Sequence, residues 1–241
     1  MQRLTVVLKE QVARFALACA VAIAVSTSAF AQSNLVNVEI SLTVDNFYAL
    51  FAVNPNTGLL TLIGSDPGPN DTQQWRTVET YSFSAPRNSY IYVVGREVSL
   101  VAMFVSRTVF DNSVTVLTGI PNPFAEWEVN TIYRLYPQEN FPITDPNQVL
   151  NWGGDWEAPA VGRFVVPQDA TRIHPSFSQV VGARFIWAPP GGGNRGDLWG
   201  FEGYTGTGTA LFRLQVVPEP ASLLALGAGL AGLVGLRRRK R

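Results

Sequence analysis

The sequence predicts an all-β fold, an antiparallel β-sandwich or jelly roll over residues 32–216, on three observations. Apolar and polar residues alternate in many short runs, of which Val36, Val38, Ile40, Leu42 and Val44 form the clearest. A period of two marks a strand buried on one face. Turn-forming clusters such as Asn54-Pro55-Asn56-Thr57-Gly58 separate the runs. No stretch between residues 32 and 216 carries a helical period longer than two turns. Many short strands at this spacing fit a sandwich whose two sheets share one core.

Taken in order, residues 36–44 open the sheet, residues 47–53 continue as a second strand, and residues 59–63 return as its hairpin partner. Asp66-Pro67-Gly68-Pro69-Asn70-Asp71 is a loop, because two prolines and a glycine interrupt any ladder. Strands are expected over residues 75–83, 90–94, 98–106 and 114–117, with a turn at Ala85-Pro86-Arg87-Asn88. Across residues 120–160 the pattern weakens into Pro, Asn, Gly and Trp, which leaves open one domain or two sub-domains split there. Strand-like runs resume at residues 162–166, 182–187 and 209–217.

Both ends of the chain read differently. Arg3, Lys9 and Arg14 give a basic start, residues 15–25 are an apolar run, and Ala29-Phe30-Ala31 supplies the small-x-small site read by signal peptidase. Residues 1–31 are therefore expected to be a signal peptide, cut after Ala31, with Ala29 and Ala31 as the cleavage determinants. The sole cysteine, Cys19, falls inside it, so the mature chain has none. That excludes disulfides, thiolate metal sites and cysteine nucleophiles. At the other end, Pro218-Glu219-Pro220 is rigid and non-helical, since each proline removes a donor. It precedes sixteen uncharged residues, 221–236, and then Arg237-Arg238-Arg239-Lys240-Arg241. Sixteen residues make roughly 24 Å of helix, a short single span. The basic cluster holds its own end in the cytoplasm and places the upstream chain outside.

This order of Pro-Glu-Pro, short apolar helix and arginine-rich end, behind a signal peptide, resembles the PEP-CTERM sorting signal. The resemblance implies that residues 217–241 are recognised by exosortase, a membrane protease of transpeptidase type, with Pro218, Glu219, Pro220, Arg237, Arg238 and Arg239 as the sorting motif. It further implies transient anchoring in the inner membrane and delivery to the cell envelope or extracellular matrix. A second resemblance lies in the passenger. Asp45-Asn46-Phe47-Tyr48-Ala49-Leu50-Phe51, Tyr90-Ile91-Tyr92-Val93-Val94 and Ala183-Arg184-Phe185-Ile186-Trp187 are similar to pieces of galactose-binding-like jelly-roll domains of exported envelope proteins. It implies a jelly roll and assigns no ligand residue.

Between residues 32 and 220 there are ten arginines and no lysine against seventeen carboxylates, a net charge of −7 that the two basic ends conceal. Such a domain repels phosphate backbones, so nucleic acid is not expected as a partner. The one histidine, His174, precedes Pro175 in a turn and no nucleophile-elbow serine accompanies it. Two carboxylate pairs, Glu126 with Glu128 and Asp155 with Glu157, each flank a tryptophan. In an extended chain such pairs lie about 6.6 Å apart, near glycosidase separations. Oxygen-rich Asp66, Asn70 and Asp71 are candidates for a structural Ca²⁺, as are Asn194 and Asp197, without the spacing of a known calcium loop. No other cofactor is expected.

Aromatic residues carry the remaining signal. Trp152, Trp156 and Trp199 stand in glycine-rich segments near Asn151, Asp155, Arg195 and Asp197. Exposed there, they would offer a flat apolar face beside polar groups, the complement of a sugar ring; turned inward, they would cap the ends of the sandwich. Trp75, Trp127 and Trp187 sit in strand-like runs and are expected in the core. The expectation is an exported, non-catalytic surface or matrix protein that contacts carbohydrate, with exopolysaccharide as partner. The alternatives are a secreted glycan hydrolase using a carboxylate pair and a purely structural surface protein.

Overall fold

The computed structural model describes residues 34–66, 77–97, 103–130, 143, 145–166, 168, 175–187 and 208–217. Residues 1–31, where a signal peptide is expected, Trp75 and the sorting tail beyond Val217 lie outside them. Among the described residues the chain is mostly β-strand, arranged in two antiparallel sheets that fit an all-β sandwich. The strands are β1 Leu35–Asp45, β2 Phe47–Val53, β3 Leu60–Ser65, β4 Glu79–Pro86, β5 Tyr90–Glu97, β6 Met103–Phe110, β7 Val114–Leu117, β8 Trp127–Asn130, β9 Trp156–Glu157, β10 Ala160–Val165, β11 Arg184–Trp187 and β12 Gly208–Gln215. A one-turn-and-a-half helix, α1 Pro146–Leu150, and a 3₁₀ segment, Pro175–Val180, complete it.

The first sheet runs β10-β11-β6-β1-β4, with β7 pairing on β6; the second runs β3-β2-β5-β12-β8-β9. Local antiparallel pairs stay together (β2 with β3, β6 with β7, β8 with β9, β10 with β11), and every other connection crosses to the opposite sheet. Strands from either side of residues 120–160 pair directly, β6 with β11 and β5 with β12. The core follows from the alternation read in β1: Val36, Val38, Ile40, Leu42 and Val44 all turn to the interior.

Four large rings bind the sheets together. Phe104 of β6 meets Phe212 of β12 at 4.8 Å and Trp127 of β8 edge-on at 4.9 Å, and Trp187 of β11 meets Phe212 at 5.5 Å. Aromatic pairs at these separations add about 0.5–1.5 kcal/mol each beyond the area they bury. Trp127 and Trp187 are buried, as their strand-like runs predict. Gly95 makes room for this packing, since a β-carbon there would meet Val44 at 3.0 Å and the Trp187 ring at 3.2 Å.

Several elements differ from the sequence reading, β6, β8 and α1 among them. The strand expected over residues 98–106 is observed as β6, ending at Phe110. Ser106, Arg107 and Thr108 look like a polar strand end, yet Ser106 and Thr108 lie opposite Leu42 and Ile40, fully buried, while Arg107 pairs with Glu39 at 3.5 Å. Strand β8 and helix α1 occupy the region where the pattern weakened. Four residues of alternation are too few to show a period, and α1 depends on local capping, with the Asp145 carboxylate accepting the Asn147 N–H at 2.9 Å and Pro146 in its first turn.

β2 is buried on both faces. Tyr48 and Leu50 enter the inter-sheet core, whereas Phe47, Ala49 and Phe51 join a second apolar cluster with Val94, Leu211, Ile143, Val149 and Trp152. Helix α1 and its flanks thus roof part of the second sheet's outer face. Where β3 and β4 meet, Tyr81 stands so close to Gly64 that a β-carbon there would fall 2.1 Å from its ring. The Tyr48 hydroxyl donates to Glu79, Tyr81 donates to the same Glu79 oxygen at 2.8 Å, and the two hydroxyls are 2.8 Å apart.

Burial, reinforced by the bonds to Glu79 and Tyr81, holds the Tyr48 hydroxyl well above the usual phenolic range. Burial likewise pushes Tyr81 up to about 12, against the opposing effect of the adjacent Tyr48 hydroxyl. Folded-state values above the unfolded value of about 10 mean that the native protein binds these protons more tightly. Their stabilisation is complete below about pH 10 and is lost as pH rises through the folded values. Urea midpoints are expected to fall between about pH 10 and 12, and to fall less in Tyr48→Phe; an equal fall in both proteins would contradict this assignment.

Candidate functional site

The outer face of the second sheet is only partly roofed, and what it leaves accessible is built around Arg213. In β12, Phe212 and Leu214 point inward, so Arg213 points out. Antiparallel register sets Arg213 opposite Tyr92 of β5 on one side and Glu128 of β8 on the other, and Tyr90 opposite Gln215. Trp156 of β9 lies opposite Asn130 of β8 and brings its ring over the same patch. The Arg213 guanidinium carbon is 4.0 Å from the Trp156 ring centroid and 4.5 Å from that of Tyr90. Its Nε donates to the Glu128 carboxylate at 2.6 Å. Tyr92 completes the surface, 6.1 Å from Tyr90 and 6.3 Å from Trp156.

The result is a half-buried platform of three rings around one ion-paired guanidinium, whose side chain is 20% exposed against 40% for Glu128. Burial raises the Tyr92 hydroxyl above its usual range, with Arg213 opposing and Tyr90 adding to the rise. Cation–π contacts of this kind are worth about 0.5–1 kcal/mol at exposed sites and fix the rings as much as they stabilise them. Gly153 and Gly154, at φ +74° and +85°, turn the chain between Trp152 and Trp156. Asn130 anchors that turn by donating to the Gly153 carbonyl at 2.5 Å.

The two neighbouring tryptophans therefore part ways. Of the two placements left open for Trp152, exposed for a sugar or turned inward, the structure has the second: it is 1% exposed, packed in the second apolar cluster with Ile143 and Val149. The glycine-rich context that suggested exposure belongs to the turn after it, and its indole is the main apolar mass of the roof. Trp156 lies at the rim of that cluster with its ring on the platform. Trp199 lies outside the described residues, as do His174, Arg195, Asn194 and Asp197. Of the carboxylates, Glu128 is engaged by Arg213, Glu126 is exposed and accepts the Asn122 amide at 3.4 Å, and Asp155 and Glu157 are exposed beside Trp156. The sequence reading missed Tyr90, Tyr92 and Arg213. Their signal was an i, i+2 tyrosine pair in one strand and a lone cation in the last one.

Asp66 is 3% exposed, with its backbone N–H bonded to the Tyr48 carbonyl at 3.1 Å; Asn70 and Asp71 lie outside the described residues. Among the described residues no group of three or more His, Cys, Asp or Glu side chains is placed to hold a metal ion. A second concavity, about 320 Å³, opens on the outer face of the first sheet between Asn37, Glu39, Ser82, Ser84 and Asn112, with Phe83 as its one ring.

The strand that carries Arg213 leads directly into the end of the chain. Val216 donates to the Ser89 carbonyl at 2.8 Å and accepts from the Asn88 N–H at 2.9 Å, and Val216 and Val217 are 0% and 4% exposed. Residues 216–240 match the PEP-CTERM protein-sorting motif. That motif is recognised by exosortase, so the chain is an exported protein, transiently anchored in the membrane and sorted through this tail. The match covers the tail and says nothing of the passenger. No curated protein and no solved structure gives a significant match. Among the described residues no helix is long and apolar enough to cross a membrane. Residues 221–236, Pro218, Glu219, Pro220 and Arg237, Arg238 and Arg239 lie outside them, as do Ala29 and Ala31.

Two expectations follow from these placements. Trp152→Ala should cost about 3–5 kcal/mol in urea unfolding, as expected for truncating a buried tryptophan. Trp156→Ala should cost about 1–2 kcal/mol; equal costs would contradict the division between roof and platform. The first two residues of the sorting motif belong to the folded core, so the exported form should retain Val216 and Val217 while lacking residues 237–241. Intact-mass measurement on native protein reads both ends of that statement.

Proposed function

We propose that the chain is a non-catalytic passenger of the cell envelope or extracellular matrix that contacts carbohydrate through the Tyr90–Tyr92–Trp156 platform. The observation that carries this reading is the guanidinium of Arg213 fixed between two rings with Glu128 at 2.6 Å. Pyranose rings present an apolar C–H face and polar edges. Rigid aromatic planes beside a charged pair of donors and acceptors complement both without ordering a loop first. The two-sheet architecture supports the finer reading of a jelly roll, and exopolysaccharide outside the cell is the matching partner.

Several features disfavour the hydrolase reading. Glu128 is bound to Arg213, Glu126 precedes the strand, and Asp155 and Glu157 are exposed at the sheet edge rather than facing each other across a cleft. A purely structural role remains the competing outcome. Screening the exported, processed protein on a glycan array separates the readings. Saturable binding weakened about tenfold or more in Trp156→Ala, which removes one stacking ring, supports the platform. Absence of binding to any glycan leaves the structural role, and release of reducing ends, lost in Glu128→Gln, establishes the hydrolase.

A further inference from the structure

The platform's charge arrangement points further, to the class of polysaccharide it accepts. On the reading that this surface contacts carbohydrate, we infer that it selects uncharged over acidic polysaccharide, with Glu128 as the residue that sets the choice. Arg213 is the cation at the centre of the three rings, and its charge is already answered by the Glu128 carboxylate at 2.6 Å. Trp156 and Tyr90 lie on it at 4.0 and 4.5 Å, so the guanidinium cannot swing toward an anion without leaving both rings. Asp155 and Glu157, both exposed, flank Trp156 in sequence. The passenger as a whole carries a net charge of −7.

A uronate or other acidic sugar approaching this face meets a neutralised pair set in an acidic field, and is repelled at low salt. An uncharged hexose pays no such penalty. It keeps what the half-buried Tyr92 and Trp156 rings leave accessible, and the hydrogen-bonding edge of the Arg213–Glu128 pair. Glu128 therefore acts twice: it orients the guanidinium, and it cancels the charge that would otherwise recruit an acidic chain.

Glu128→Gln separates these roles, because the amide oxygen still accepts from Arg213 Nε while the negative charge is gone. The test is affinity electrophoresis of the exported, processed protein through gels containing a neutral β-glucan or polygalacturonate, at low and at physiological salt. Wild type is expected to be retarded by the neutral polymer and not by polygalacturonate. In Glu128→Gln the ratio of acidic to neutral retardation should rise about threefold to fivefold at low salt and shrink as salt is added. Adding Arg213→Gln should remove the gain, which ties it to the uncovered guanidinium and not to misfolding. Wild-type retardation by polygalacturonate equal to or above that by the neutral polymer overturns the selectivity alone, as does an unchanged ratio in Glu128→Gln. Retardation of neither protein by either polymer overturns the carbohydrate reading itself.

Discussion

Phe104, Trp127, Trp187 and Phe212 interlock across the two sheets, and the rest of the structure depends on that contact. No cysteine lies outside residues 1–31, so apolar packing takes the place that cross-links occupy in many exported domains. The clamp also fixes which way β12 faces. With Phe212 and Leu214 directed into the core, the alternation of the strand sends Leu211 and Arg213 to the opposite side. The platform's central guanidinium is thus positioned by hydrophobic burial one residue away, which is a firmer support than any surface ion pair supplies.

The outer face of the second sheet is divided between two tasks. One part is closed by Ile143, Val149 and Trp152 over Phe47, Ala49, Phe51, Val94 and Leu211. The other part stays accessible at Tyr90, Tyr92, Trp156 and Arg213. A sheet packed on one side normally alternates apolar and polar residues. The near-continuous burial of β2 instead records an added layer, and the change from that layer to the aromatic patch occurs between Trp152 and Trp156, at the two left-handed glycines.

Much of the fold was legible because it rests on local alternation. β1, the β2–β3 hairpin, β5, β7, β11 and β12 appear close to where their period of two places them. What escaped were elements whose signal is short or non-local. β8 shows its alternation over four residues, and β9 exists only as a pair of residues on its neighbour. α1 is too brief for a helical period and is held by its cap and by the burial of Val149. The site was half legible for the same reason. Trp156 was visible as an aromatic in a polar context, but that Tyr90, Tyr92, Glu128 and Arg213 converge on it is a property of register across four strands. Trp152 stayed undecided because residue type and glycine context are shared by a surface loop and by the turn beside a buried roof. The sorting tail was readable throughout, being linear information that needs no fold.

The position of β12 sets the order in which the molecule can be completed. It is the last described strand in the chain and an interior one in its sheet, lying between β5 and β8, which do not pair with each other. Emerging N-terminus first, the passenger can form its first sheet apart from β10 and β11, and the β2–β3–β5 half of the second, early. The remaining half has nothing to join until residues 208–217 arrive. The same ten residues bring Phe212 to the clamp, Arg213 to the platform and Val216 to Ser89, where the sorting motif begins. Closure of the core and completion of the platform therefore both wait on residues 208–217, the last described stretch of the chain.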